Sequence, residues 1–226
     1  MLYDFLALIY PRNCLACGNS LYRHEEQLCN FCYLNLPKTN FHLQPDNAVK
    51  NLFYGRTTIE TAGSFYLFSK KGSIQKILHA IKYKGNKELA VLVGKWYAND
   101  LLRHSPVLQS ACIVPVPLHP LKLKKRGYNQ SEEFARGLSE GLQIQLNTTL
   151  LQRTENTSTQ TRKNKFERWE NVEDTFEITE KECFKNKEVI LVDDVITTGA
   201  TIEACCQVLH QIEGIKIHVL SVAYAE

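Results

Sequence analysis

The sequence has no apolar run near the roughly 20 residues a membrane-spanning helix needs, which leaves no candidate span. It has no Gly-x-x-x-x-Gly-Lys-Ser/Thr, so nucleotide hydrolysis through a P-loop is excluded. Internal repeats and low-complexity tracts are also missing. The opening residues, MLYDFLALIYPRN, carry Asp4 but neither a basic lead-in nor a small-residue cleavage site, so they fail as a secretory signal. They read instead as a short amphipathic helix ended by Pro11, and the expected location is the cytoplasm.

The 226 residues suffice for one substantial core plus a small appended module. Hydrophobic content of 44% and charged content of 23% are those of an ordinary soluble globular chain. Net charge is only +3, but its distribution is uneven. Residues 1–170 carry 23 Lys/Arg against 13 Asp/Glu, and residues 171–226 carry 4 against 11. Seven lysines and a single acid fall within residues 70–95. A polyanion such as nucleic acid or a polyphosphate would be drawn to the first part; a solvated helix face explains the same lysines equally well.

Residues 14–32, CLACGNSLYRHEEQLCNFC, place Cys14, Cys17, Cys29 and Cys32 in two C-x-x-C pairs. Each pair can present two thiolates through a tight turn, and four thiolates match tetrahedral zinc. Disulfides are disfavoured in a reducing compartment, and a redox C-x-x-C would not come doubled. With His24 the one other nearby candidate, the expected site is closed and structural. Cys112, Cys183, Cys205 and Cys206 lack such spacing and are expected to be buried free thiols.

The zinc module is expected over 1–37, a linker without periodicity over 38–58, and the main domain over 59–226. In the main domain, TAGSFYLF reads as a strand. GSIQKILHAIKYKG reads as a helix with Ser73 as N-cap and Gly85 as stop, and NKELAVLVGKWYANDLLRH as a second helix. Beyond residue 110, strands (ACIVPVP, TLLQ, KEVILVDD, KIHVLSVAY) alternate with helices (NQSEEFARGLSEGL, TTGATIEACCQVLHQI). That alternation predicts an α/β fold with a parallel sheet flanked by helices.

One stretch carries chemistry. In VILVDDVITTGATI, a buried-looking strand ends on Asp193 and Asp194, and Thr197, Thr198, Gly199, Ala200 and Thr201 open the next helix. Ligands of open parallel sheets bind beyond the carboxyl ends of the strands. Two adjacent carboxylates there need hydroxyl donors, cations or water. The amides and threonine hydroxyls after them can surround an anion at a helix N-terminus, with Gly199 permitting the turn. A sugar phosphate suits both halves.

VILVDDVITTGAT resembles the phosphoribosyl-pyrophosphate-binding motif of type I phosphoribosyltransferases at all thirteen positions from Val189 to Thr201. With the double C-x-x-C, KYKGNKELA (82–90), VPVPLHPLKLKKRGYNQSEEFARGL (114–138) and RTENTSTQTRKNKFERWENVEDTF (153–176), the chain resembles the competence-protein F family nearly throughout. These are phosphoribosyltransferase homologues with an N-terminal zinc finger, linked to DNA uptake in natural transformation. The resemblance implies that Asp193 and Asp194 contact ribose hydroxyls and that Thr197 to Thr201 hold the 5′-phosphate. It places Pro117, Leu118 and His119 in the pyrophosphate loop. Arg153, Gln160, Arg168 and Asn171 fall in the mobile catalytic loop, and Mg2+ accompanies the diphosphate. It also implies a DNA-translocating ATPase as partner.

Two basic runs remain open in meaning. Lys122, Lys124, Lys125 and Arg126, with Tyr128 as a stacking surface, suit a single-stranded nucleic acid or a pyrophosphate loop with solvent-facing lysines. Arg162, Lys163, Lys165 and Arg168 suit pyrophosphate, a nucleic-acid backbone or a solvated helix face. Tyr83 between Lys82 and Lys84, and Trp169 beside Arg168, repeat the pattern. No acceptor site can be read. Three functions stay in play: a DNA-uptake protein binding phosphoribosyl pyrophosphate, single-stranded DNA or both; a metabolic transferase acting on a purine- or pyrimidine-type base; and a regulator that senses the donor.

Overall fold

A computed structural model describes residues 11–104, 111–154 and 175–226. The expected N-terminal helix lies outside them, as do Gln160, Arg162, Lys163, Lys165, Arg168, Trp169 and Asn171. The elements in chain order are α1 (Asn30–Leu34), α2 (Ala48–Asn51), β1 (Thr61–Leu67), α3 (Ser73–Tyr83), α4 (Lys87–His104), β2 (Ala111–Pro115), α5 (Pro120–Arg126) and α6 (Gln130–Leu142). After these come β3 (Leu151–Thr154), β4 (Thr175–Ile178), β5 (Glu188–Ile196), α7 (Ala200–Leu209) and β6 (Lys216–Tyr224).

The main sheet has the order β1-β6-β5-β2 and is parallel throughout. Successive side chains of a strand point to opposite faces. Accordingly Ile190 and Val192 enter one core while Val189 and Leu191 enter the other. The first core is covered by α3, α4 and α6. Ile74, Ile77, Leu78 and Ile81 form the buried stripe of α3, which stops where Gly85 takes φ +68. Gly72, not Ser73, is its N-cap. Helices α4 and α6 pack backbone to backbone, because a Cβ on Gly94 or Gly137 would fall 2.3 or 2.0 Å from a carbonyl oxygen of the facing helix. The second core is covered by α2, α7 and the small sheet of β3 and β4. TLLQ thus contributes to an antiparallel pair, with Leu151 opposite Ile178, and not to the parallel sheet.

Residues 38–58, aperiodic in sequence, are an ordered strap. Lys38 bridges to Tyr66 and Thr39 N–H donates to Phe65 O at 3.0 Å, so the segment starts along the free edge of β1. Buried Asn47 holds its corner: its Oδ1 caps α2 through Val49 N and Lys50 N, and its Nδ2 donates to Ala62 O at 2.8 Å. Val49 and Phe53 then enter the second core. The cysteine module is docked as well. Cys14, Ala16, Leu28 and Leu36 belong to the first core, Tyr33 packs on Trp96 with centroids 4.7 Å apart, and Lys38 pairs with Asp100 at 2.9 Å.

Cys112, Cys205 and Cys206 are buried thiols in no disulfide, as expected, and burial pushes Cys206 up to about 12. Cys183 departs from that expectation; it lies exposed in the short 3-10 turn Lys181–Phe184, where Phe184 takes the buried position. No helix among the described residues is long and apolar enough to cross a membrane.

Candidate functional site

In register, Val192 is the last residue of β5 to pair with β2, opposite Pro115, whereas β5 continues beside β6 to the pair Ile196–Tyr224. Asp193 and Asp194 therefore lie just past the carboxyl end of β2, beside the segment 116–119 that leaves it. Val116 N–H still donates to Val192 O at 2.8 Å. Pro117, Leu118 and His119 come next, half-buried, and His119 Nδ1 caps α5 by accepting from Leu121 N at 3.2 Å.

Each carboxylate has a partner from a different helix. Ser131, in the first turn of α6, donates its hydroxyl to Asp193 Oδ1 at 3.0 Å, and the amide of Asp194 donates to the same oxygen at 2.8 Å. Lys82, near the end of α3, places its Nζ 2.9 Å from Asp194 Oδ2. Burial, reinforced by the neighbouring Asp194 charge, pushes Asp193 up to about 7 against the help of Ser131 and Lys82. Asn129 fixes Ser131 in place. Its Oδ1 accepts from Ser131 N at 3.1 Å, and its Nδ2 donates to Val116 O at 2.9 Å, tying α6 to the end of β2.

The anion loop opens α7. Thr197, Thr198 and Ala200 are exposed, Thr201 half-buried, and Gly199 is the N-cap at φ +78; Thr198 Oγ1 accepts a long hydrogen bond from Ala200 N at 3.5 Å. First-turn amides without a cap are donors available to an anion. Phe53 of the strap backs the turn, since a Cβ on Gly199 would meet its ring at 2.8 Å. Arg56 donates to Thr198 O at 2.9 Å and pairs with Glu203 in α7. The loop is thus braced from the strap side while its threonines stay open to solvent.

Asp193 and Asp194, the Thr197–Thr201 loop that follows them and Pro117–His119 all lie beyond the paired carboxyl ends of β5 and β2. Sequence reading missed Lys82 and Ser131 as partners of the acids, although both lie in stretches (KYKG and NQSEE) that carry the family resemblance. Phe53 and Arg56 left no signal, for they sit in the aperiodic strap. Lys122, Lys124 and Lys125 are exposed on α5 as a nucleic-acid candidate requires. Tyr128 is not available for stacking: it is 6% exposed, and its hydroxyl donates to Ile81 O. The exposed ring is Tyr83, with the Arg126 guanidinium 5.4 Å from its centroid. Arg153, on β3, lies over the Phe176 ring at 5.4 Å. A cavity of about 350 Å3, largely apolar, is lined by residues such as Leu101, Ile190 and Leu220 and by neither aspartate.

The four cysteine sulfurs lie within 4.8 Å of one another, and Cys17 and Cys29 are 3.8 Å apart. Two thiolates at about 2.3 Å from a tetrahedral zinc would stand roughly 3.8 Å apart, so the cluster fits that ion. Backbone amides of Asn19, Cys29 and Cys32 donate to the sulfurs of Cys17, Cys14 and Cys29. Burial opposes ionisation of Cys14, but amide donors prevail and hold it at about 6; burial and the neighbouring thiols push Cys32 upward. Glu25, buried between the knuckles, accepts from Tyr22 N and Asn30 N at 2.7 Å each and braces both turns.

Residues 123–225 match the phosphoribosyl transferase domain. The likeness to competence-protein F is borne out by the curated relatives. Competence protein F of Haemophilus influenzae is 34% identical over 114 residues, half of each chain. The DNA utilization protein YhgH of Escherichia coli is 27% identical over 207 residues, 90% of this chain and 86% of that one. Among solved structures, an allosteric regulatory enzyme of purine biosynthesis matches at TM-score 0.44 and 16% identity, covering 65% of this chain and 30% of that one. Adenine phosphoribosyltransferase of Leishmania tarentolae matches at 0.38 and 13%, covering 84% and 94%. Likeness at that level is too loose to bear on chemistry.

Proposed function

We propose that this chain binds phosphoribosyl pyrophosphate together with Mg2+ and, along the adjoining basic surface, single-stranded DNA, and that it acts in the handling of incoming DNA. The observation that carries the reading is the acid pair at the carboxyl end of β5 and the loop that follows it. Two carboxylates, partnered by Ser131 and Lys82, are followed within a few residues by a helix N-terminus that opens on exposed Thr197 and Thr198. Ribose hydroxyls would donate to Asp193 and Asp194, and the 5′-phosphate would take the amides and hydroxyls of Thr197 to Thr201. The diphosphate would extend toward Pro117, Leu118 and His119. Magnesium travelling with the diphosphate, and keeping several of its waters, would supply charge neutralisation there. The DNA part of the reading rests on exposed Lys84, Lys122, Lys124 and Lys125, on exposed Tyr83 with Arg126 over its ring, and on the DNA-related names of the relatives. In the cysteine cluster, zinc would be a structural ion.

Calorimetry with phosphoribosyl pyrophosphate and Mg2+ tests the donor site. Wild type should bind, and Asp193→Asn with Asp194→Asn should weaken binding at least about 100-fold, the loss expected from two charge-assisted hydrogen-bond acceptors. An unaltered affinity in the double variant would remove the acids from the site. Pyrophosphate release on adding a panel of bases would mark a transferase.

A further inference from the structure

Lys82 stands where the donor reading gives it no role. Its ammonium is 2.9 Å from Asp194 Oδ2, and both side chains are largely shielded, at 22% and 16% exposure. Among the described residues no other cation pairs with either aspartate. A pentose hydroxyl arriving at Asp194 must share or displace this ammonium, and stripping a shielded ion of its partner without replacement is costly.

The end of α3 that carries Lys82 is packed against the segment that follows Pro117–His119. Tyr128 O–H donates to Ile81 O, and Arg126 lies over the Tyr83 ring, so the last turn of α3 is tied to the turn between α5 and α6. In sequence that turn comes directly after Pro117–His119, to which the donor reading assigns the pyrophosphate, and α5. A lysine is a point charge on a four-carbon stem with freely rotating donors, able to exchange one anion for another nearby.

We propose that Lys82 determines specificity: it makes the site prefer a pentose 5-phosphate bearing an anomeric pyrophosphate over one that lacks it. The inference rests on the donor-site reading above. With pyrophosphate present, the ammonium trades Asp194 for a phosphate oxygen and the acid is released to the ribose. With ribose 5-phosphate there is nothing to trade, and the ammonium either blocks Asp194 or is left unpaired. A lysine that only anchored α3 to β5 would not distinguish the two ligands.

The test is calorimetric titration of the full zinc-loaded chain with phosphoribosyl pyrophosphate and Mg2+, and separately with ribose 5-phosphate and Mg2+. Wild type should prefer the first ligand. Lys82→Met should bind phosphoribosyl pyrophosphate about 10–100-fold more weakly, the range for losing a hydrogen bond to a charged group, while ribose 5-phosphate binds as well as before or better. Lys82→Arg should keep most of the preference. Lys82→Gln provides the same comparison should the Met variant not fold. An equal loss for both ligands would overturn the proposal and leave Lys82 as a support of the carboxylate. Should wild type bind neither ligand, the donor-site reading itself falls, a failure visible before any variant is made.

Discussion

The four thiols of the N-terminal module and the two carboxylates of β5 both gather like charge in a confined place, but the polypeptide serves them differently. Around the sulfurs it supplies backbone amides, and among the described residues no lysine or arginine donates to them. Around the carboxylates it supplies a hydroxyl from α6 and an ammonium from α3. Four thiols so close together, with only backbone amides around them, suit a structural metal ion that would stay once bound. The acid pair brings a cation of its own on a movable stem, an arrangement suited to ligands that come and go.

The largest effect should come from breaking the sulfur side. Chelation, or Cys14→Ser, should remove one equivalent of bound zinc and lower the melting temperature of the whole chain, because Cys14, Ala16, Leu28 and Leu36 are part of the first core. Zinc content and calorimetry check this, and an unshifted main transition would make the module an independent unit. Next is the backing of the anion loop. Phe53→Ala should cost about 3–5 kcal/mol in urea unfolding, the range for a buried Phe truncated in a core. It should also weaken phosphate-bearing ligands by loosening the Gly199 turn.

A smaller effect concerns the proton on the acid side. Burial and Asp194 hold Asp193 up at about 7, above its usual 3.8, so the folded chain keeps a proton that the unfolded chain releases. This contribution to stability is present at low pH, falls as pH rises from about 4 toward 7, and is gone above. Melting temperatures between pH 5 and 8 should therefore fall less in Asp193→Asn than in wild type. The smallest effect should be on the surface. If single-stranded DNA runs along α5, Lys122→Ala, Lys124→Ala and Lys125→Ala together should flatten the log–log salt slope of binding by roughly 2, at about 0.7 per phosphate contact. An unchanged slope would move the DNA elsewhere.

Two kinds of information are legible in the residues alone. The cysteine spacing and the β5 motif are local: strand, acids and anion loop are contiguous, and backbone geometry alone carries them to the same edge. The helical stripe of Ile74, Ile77, Leu78 and Ile81 is legible for the same reason. Tyr128 misleads because basic neighbours suggest exposure, while its ring is used to close the contact between α3 and the α5–α6 turn. Residues 38–58 mislead because a strap held by an Asn47 corner and single buried side chains has no period to detect.

Amino-acid order alone thus sets the contiguous sites: four metal-binding thiols, an acid pair closing a buried strand, and a Thr/Gly loop opening a helix. Their completion belongs to the packing of distant segments. Lys82 reaches Asp194 across 112 residues of chain, Ser131 reaches Asp193 across 62, and Phe53 backs Gly199 across 146. The physical reason is range. Periodicity and turn chemistry act over a few neighbours, whereas the partner of a buried charge is chosen by packing, which brings together whatever residues the folded helices and strap happen to carry to that edge.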